Sequence, residues 1–170
     1  MTTVLLNIHN VGLVDVPLAT FCFGFFYGGL AQVIAGVIEG RRGEIFGFTA
    51  FTSYGLFWIA LSLAVVLDWL GVARLGYIEL GFVMLMWGLF TAYLTPGAFT
   101  ISRVAIPFVF ITLTLLFFLL SAAFFTLAMG GSDIILRIAG VEGIICGLSA
   151  MYSSAAILLN TQLKRNVLTL

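Results

Sequence analysis

Apolar residues fill this chain in long blocks, and its few charges fall between them. After an apolar start from Met1 to Val11, Asp15 precedes a block from Pro17 to Ile38. Glu39, Arg41, Arg42 and Glu44 separate that block from the next, Ile45 to Leu67. Asp68, Arg74 and Glu79 bracket the following break. A further helix is predicted from Tyr77 to Leu94, stopped by the helix breakers Pro96 and Gly97. Ser102 and Arg103 open another apolar run that lasts to Met129. Gly130-Gly131-Ser132-Asp133 then reads as a turn and N-cap ahead of a last helix, Ile134 to Leu159. The runs are too long, and lack the two-residue alternation, for strands of a membrane barrel.

A helix that crosses the hydrocarbon layer needs about 20 apolar residues, so 170 residues hold at most six crossings joined by short loops. The composition agrees: 62% hydrophobic and 8% charged residues cannot cover a water-soluble surface, which carries about 25% charge. The prediction is an all-α membrane protein, with residues 1–170 forming a single transmembrane domain. Its architecture is a six-transmembrane-helix bundle with a truncated first helix, because eleven residues reach about 16 Å of a layer about 30 Å thick. A signal peptide is rejected, since its leading region should be positive and the first Lys or Arg is Arg41.

Six crossings place Arg41, Arg42, Arg103, Lys164 and Arg165 on one side and Arg74 and Arg137 on the other. The richer side is cytoplasmic by the positive-inside rule, which puts both termini in the cytoplasm of an inner-membrane protein. Net charge is zero and there is no basic tract, so no nucleic-acid partner is expected. Cys22 and Cys146 lie inside apolar runs and read as packing residues. One histidine, two isolated cysteines and no nucleophile-elbow or phosphate-loop motif leave nothing for an enzyme, a metal site or a cofactor.

The glycines have a packing explanation. Gly24 and Gly28, Gly36 and Gly40, and Gly143 and Gly147 are spaced by four, which lets membrane helices approach closely. Asn7, His9, Asn10, Gln32, Thr49, Thr52, Ser53 and Tyr54 are polar at membrane depth and should turn away from lipid. Asn7 and Asn10 share a helical face, as do Gly28 and Gln32, so each helix presents an amide toward a common axis. Either these groups bond helix to helix, or together they line a path for a small polar solute. Glu142, about two turns into the last helix, is expected to snorkel to the interface or to pair with Arg137, ahead of the alternative of a proton relay.

Five strings in order along nearly the whole chain resemble the acetate uptake transporter family, the succinate-acetate permeases. They are LLNIHNVG (Leu5 to Gly12), FYGGLAQVIAGVIEGRRGEIFGFTAFTSYGLFW (Phe26 to Trp58), WGLFT (Trp87 to Thr91), FVFITLT (Phe108 to Thr114) and GIICGLSAMY (Gly143 to Tyr152). The resemblance implies a six-helix protomer in a homo-hexamer, each protomer with its own narrow path for acetate and other small monocarboxylates, and in some members succinate, coupled to protons. It implies a constriction to which this chain contributes Tyr54 and Leu113, with Ala150 lining the path beside Leu113. The family's Asn-Pro-Ala-Pro-Leu-Gly signature and its constriction Phe precede the position of Met1. The expectation is therefore that Met1 is an internal methionine of helix one, with the start assigned late or the front lost.

With no Lys or Arg inside an apolar run, a carboxylate has only neutral donors to replace its water: Asn7, Asn10, Gln32 and Tyr54. That favours a small acid crossing protonated or together with a proton. A symporter and a passive channel both fit, as do a channel for a neutral solute such as ammonia or urea and a packing subunit with no path at all.

Overall fold

Six helices follow one another in the computed structural model, which describes residues 1–15 and 18–170: α1 (Thr2–Asn10), α2 (Leu18–Arg41), α3 (Ile45–Trp69), α4 (Tyr77–Ala98), α5 (Ala105–Ala128) and α6 (Ile134–Leu163). Five are long and apolar enough to cross a membrane. The first has nine residues, about 14 Å, and is as short as its sequence predicts. The expected start of α2 at Pro17 lies outside the described residues.

Three boundaries differ from expectation, each for a local reason. Pro96 does not stop α4 at Leu94: the helix continues through it to Ala98. A proline in the final turn forfeits a single internal hydrogen bond, and Thr95 turns its hydroxyl onto the Thr91 carbonyl at 2.9 Å in the same turn. At the head of α5 the helix begins at Ala105 rather than Ser102, with the Ser102 hydroxyl held back as acceptor for the Ile106 amide at 2.9 Å. At the far end α6 passes Leu159 and runs to Leu163, where Lys164 turns left-handed.

Neighbouring helices are antiparallel, and small residues set the seams. On the α2–α3 seam Gly36 lies against Thr52, Gly29 against Ile59 and Gly24 against Ser62. On the α1–α6 seam Gly140 meets Val11 and Asn10, Gly143 meets Asn7, and Gly147 meets Val4. A Cβ at any of these glycines would overlap its neighbour, so the four-residue spacings do bring helices close. The α3–α4 seam is built differently, from large rings: Tyr54 and Phe57 of α3 pack at a tilt against Trp87 of α4, with centroids 5.6 and 4.8 Å apart. Phe110 and Phe117 of α5 reach across to Tyr54 and Phe57 and complete an aromatic core.

The centre of α2, Gly24–Ala31, is π-helical, a feature no periodicity in GFFYGGLA announces. Its glycines take the closest approaches in that region. Thr2 of α1 faces Gly28, Ser62 of α3 faces Gly24, and both buried hydroxyls lack a hydrogen-bond partner among the described residues.

Candidate functional site

A cavity of about 230 Å³ lies within the bundle, lined mainly by α1, α2, α3, α5 and α6, with Met84 from α4. Asn7, Gln32, Tyr54, Leu113 and Ala150, predicted from sequence and from the family resemblance, all stand on its wall. Five helices bring them together from positions up to 143 residues apart in the chain. Apart from Thr3 the rest of the wall is apolar, and it includes Phe57, Trp58, Phe110 and Phe117. None of the lining residues carries a charge.

Asn10 stands elsewhere. It lines a second, wider cavity of about 500 Å³ with His9, Asp15 and Asp68, toward the end of the bundle where α1 and α3 finish. The two amides are nonetheless joined, Asn10 Nδ2 donating to Asn7 Oδ1 at 3.0 Å. Asn7 Nδ2 in turn donates to the Thr3 carbonyl at 2.8 Å, and its side chain is 1% exposed. Thr3 is four residues back, one helical turn, so α1 holds its own amide rigidly. Each amide NH₂ carries a second N–H; that of Asn7 is enclosed where its side chain packs on Gly143.

The Tyr54 hydroxyl departs from the expectation that it donates into the path. It lies 2.8 Å from the Thr91 hydroxyl, and Thr91 donates its own proton to the Trp87 carbonyl at 2.7 Å. Tyr54 must therefore give its proton to Thr91, and toward the cavity it offers an acceptor oxygen only. Thr91 is fully buried and escaped the sequence reading, because a single Thr in an apolar helix is ordinarily satisfied by its own turn. Tyr54→Phe is expected to destabilise the fold by about 1 kcal/mol while keeping the ring as a wall. Thermal unfolding in detergent measures it, and a variant as stable as the parent would show that the Thr91 bond contributes nothing.

Other polar residues are accounted for within their helices. Thr52 donates to the Phe48 carbonyl at 2.6 Å and lays its methyl on Gly36. The carboxylate of Asp133 stands at the N-cap of α6 but makes no capping bond; it pairs with Arg137 at 2.9 Å. Glu142 is not paired with Arg137, contrary to expectation. Arg137 is four residues from Asp133, on one helical face, and five from Glu142, on another. Both Glu142 carboxylate oxygens are buried without a hydrogen-bond partner among the described residues, and the side chain lies off the cavity wall.

The model of the GPR1/FUN34/yaaH family matches residues 1–168. The succinate-acetate/proton symporter SatP of Escherichia coli strain K12 is 41% identical over 169 residues, covering 99% of this chain and 87% of its own. A Saccharomyces cerevisiae relative, ammonia transport outward protein 2, is 34% identical over 166 residues, 92% of this chain and 56% of its own. Among solved structures, that of the bacterial acetate channel SatP superposes with a TM-score of 0.93 at 40% identity, covering 100% of this chain and 92% of that one. The strings from Leu5 to Tyr152, the six helices and a match over nearly every residue agree: the chain belongs to the GPR1/FUN34/yaaH family.

Proposed function

We propose that this protein conducts acetate and other small monocarboxylic acids across the cell membrane, as the neutral acid or together with a proton. The observation that carries the reading is the deep cavity: apolar, free of charged lining residues, and furnished with the amides of Asn7 and Gln32. An anion stripped of water there has no cation to meet it, at a desolvation cost no single amide offsets. A protonated acid fits better. Its carbonyl accepts from an amide N–H, and its O–H can donate to the Tyr54 oxygen, which has an acceptor to offer and no proton. The volume, below the about 300–1,000 Å³ of sites for drug-sized ligands, suits a solute of a few carbons. Leu113 and the Tyr54 ring set the width and Ala150 leaves room beside them. The names of the E. coli relative and of the solved channel support acetate and protons, with succinate as a further substrate.

Uptake of labelled acetate into proteoliposomes, with and without an inward pH gradient, tests this. Flux above protein-free vesicles that rises with the gradient is expected. Flux indifferent to it indicates a passive channel, and flux equal to that of empty vesicles leaves a packing subunit. The relative named for outward ammonia transport makes ammonia the competing solute, so methylammonium uptake belongs in the same assay.

The protein is further proposed to sit as a homo-hexamer in the inner membrane with both termini cytoplasmic. Arg41, Arg42, Arg103, Lys164 and Arg165 lie at one end of the antiparallel bundle and Arg74 and Arg137 at the other, the distribution that orients short loops. In intact cells an impermeant thiol reagent should modify Arg74→Cys and spare Arg165→Cys. The reverse pattern overturns the orientation.

A further inference from the structure

The deep and wide cavities adjoin, since Leu6 of α1, Leu61 of α3, Met84 of α4 and Leu120 of α5 line both. Their chemistry differs. No charged residue lines the deep one, whereas the wide one has His9, Asp15 and Asp68 on its wall and no Lys or Arg among the described residues. On α1, His9 and Asn10 follow Leu6 by three and four residues, on the same face and about one turn further along. The imidazole thus stands on the wide cavity close to where the deep one begins.

The hydrogen bond of His9 fixes its tautomer. Nδ1 lies 2.6 Å from the Val14 carbonyl oxygen, which can only accept, so Nδ1 carries the hydrogen. In the neutral ring Nε2 then holds the lone pair and is the proton acceptor. The titratable groups that share its wall are Asp15 from the link after α1, Asp68 from the end of α3 and Tyr77 from the head of α4. Asp68 accepts from the Leu75 N–H at 3.1 Å, which holds it in place. From α2, α5 and α6 only apolar residues reach that wall; Arg137 of α6 lies beside Gly12 and pairs with Asp133.

We propose that His9 is the proton-exchange residue of the path, giving a proton to a carboxylate in the wide cavity before it enters the deep one. Carboxylic acids are almost wholly ionised in water near neutrality, so the neutral form that the deep cavity favours is scarce in solution. Imidazole exchanges protons in that range. With no Lys or Arg on the wall, the imidazolium is the cation that draws a carboxylate in, while Asp15 and Asp68 repel one that keeps its charge. The Nε2–H bond breaks, the carboxylate oxygen takes the proton, and the neutral acid passes into the deep cavity. The ring, neutral again, recovers a proton from water. Exit runs the same exchange in reverse, the acid O–H giving its proton to Nε2. The inference rests on the reading of the chain as a small-carboxylate path.

His9→Asn isolates the proton, because the Asn amide N–H stands where the Nδ1–H does and keeps the Val14 bond while the base is gone. In proteoliposomes containing the full chain, labelled acetate uptake near neutral pH, above that of protein-free vesicles, should fall about a hundredfold. That is the low end for loss of a positioned proton donor. The pH profile should change too. Flux through the variant should rise about tenfold per unit of acidification, in step with the neutral acid in solution, whereas native flux levels off once the ring is charged. Added imidazole, which fits a cavity of about 500 Å³, should restore flux to His9→Ala. A native flux and pH profile in His9→Asn overturns the proposal. A loss that keeps the native profile, or that imidazole does not relieve in His9→Ala, marks a structural role and overturns it as well. Acetate flux of the unmodified protein no greater than that of protein-free vesicles instead removes the conduction reading itself.

Discussion

Leu113→Ala is expected to admit lactate, raising its flux relative to acetate about tenfold or more. A single methylene in an apolar pocket separates competing substrates by about 10–200-fold, and this change removes three carbons beside Tyr54 and Ala150. Folding should survive. Leu113 faces an existing cavity and is only partly buried against the core, so its removal enlarges a space rather than opening a new one. The loss of stability should fall below the about 2–5 kcal/mol of a leucine truncated in a closed core. Competition of lactate against labelled acetate in proteoliposomes gives the ratio directly. A well-expressed variant with an unaltered substrate range means that Leu113 does not set the width.

Gly143→Ala should be the most damaging single methyl group in the chain. The three atoms nearest to the added carbon all belong to the Asn7 side chain, which is 1% exposed and pinned to Thr3 and Asn10. Asn7 cannot swing aside, so α1 must move off α6, at about 1–3 kcal/mol for an overpacked contact. Because Asn7 stands on the cavity wall, acetate flux should fall together with the melting temperature in detergent. Gly76→Ala is the control. Nothing lies within 4 Å of a carbon added there, and the backbone φ of −80° suits any residue. If the two variants melt at the same temperature, the α1–α6 contact is not the constraint described. Asn7→Ser in the Gly143→Ala background should recover the lost stability.

The breaks between helices were legible because a chain in lipid must surface to place its charges, and Glu39 to Glu44, Asp68 to Glu79 and Gly130 to Asp133 are where it does so. Facing within the helices was much less legible. In a soluble bundle a polar face marks the outside, but here the outside is lipid, and exposed Phe26, Leu56, Met86 and Leu148 look in sequence just like buried Met84 and Leu120. Amides escape that ambiguity, since hydrocarbon rejects them, and Asn7 and Gln32 were found that way. Leu113 and Ala150 came through the family strings alone.

The π-helical stretch of α2 has a consequence for chain length. A wider turn accommodates an extra residue without swinging the rest of the helix, whereas adding or removing one residue in a regular α-helix rotates everything beyond it by about 100°. The bulge of α2 thus acts as slack in an otherwise taut cable. Gln32, the next residue after the stretch, keeps its amide on the cavity, and Gly36 keeps its seat against Thr52, only because that slack is present. Loss of one residue between Gly24 and Ala31 can be absorbed locally by a return to the α-helical turn. The same edit in α3, α4 or α5 would turn the aromatic core out toward lipid.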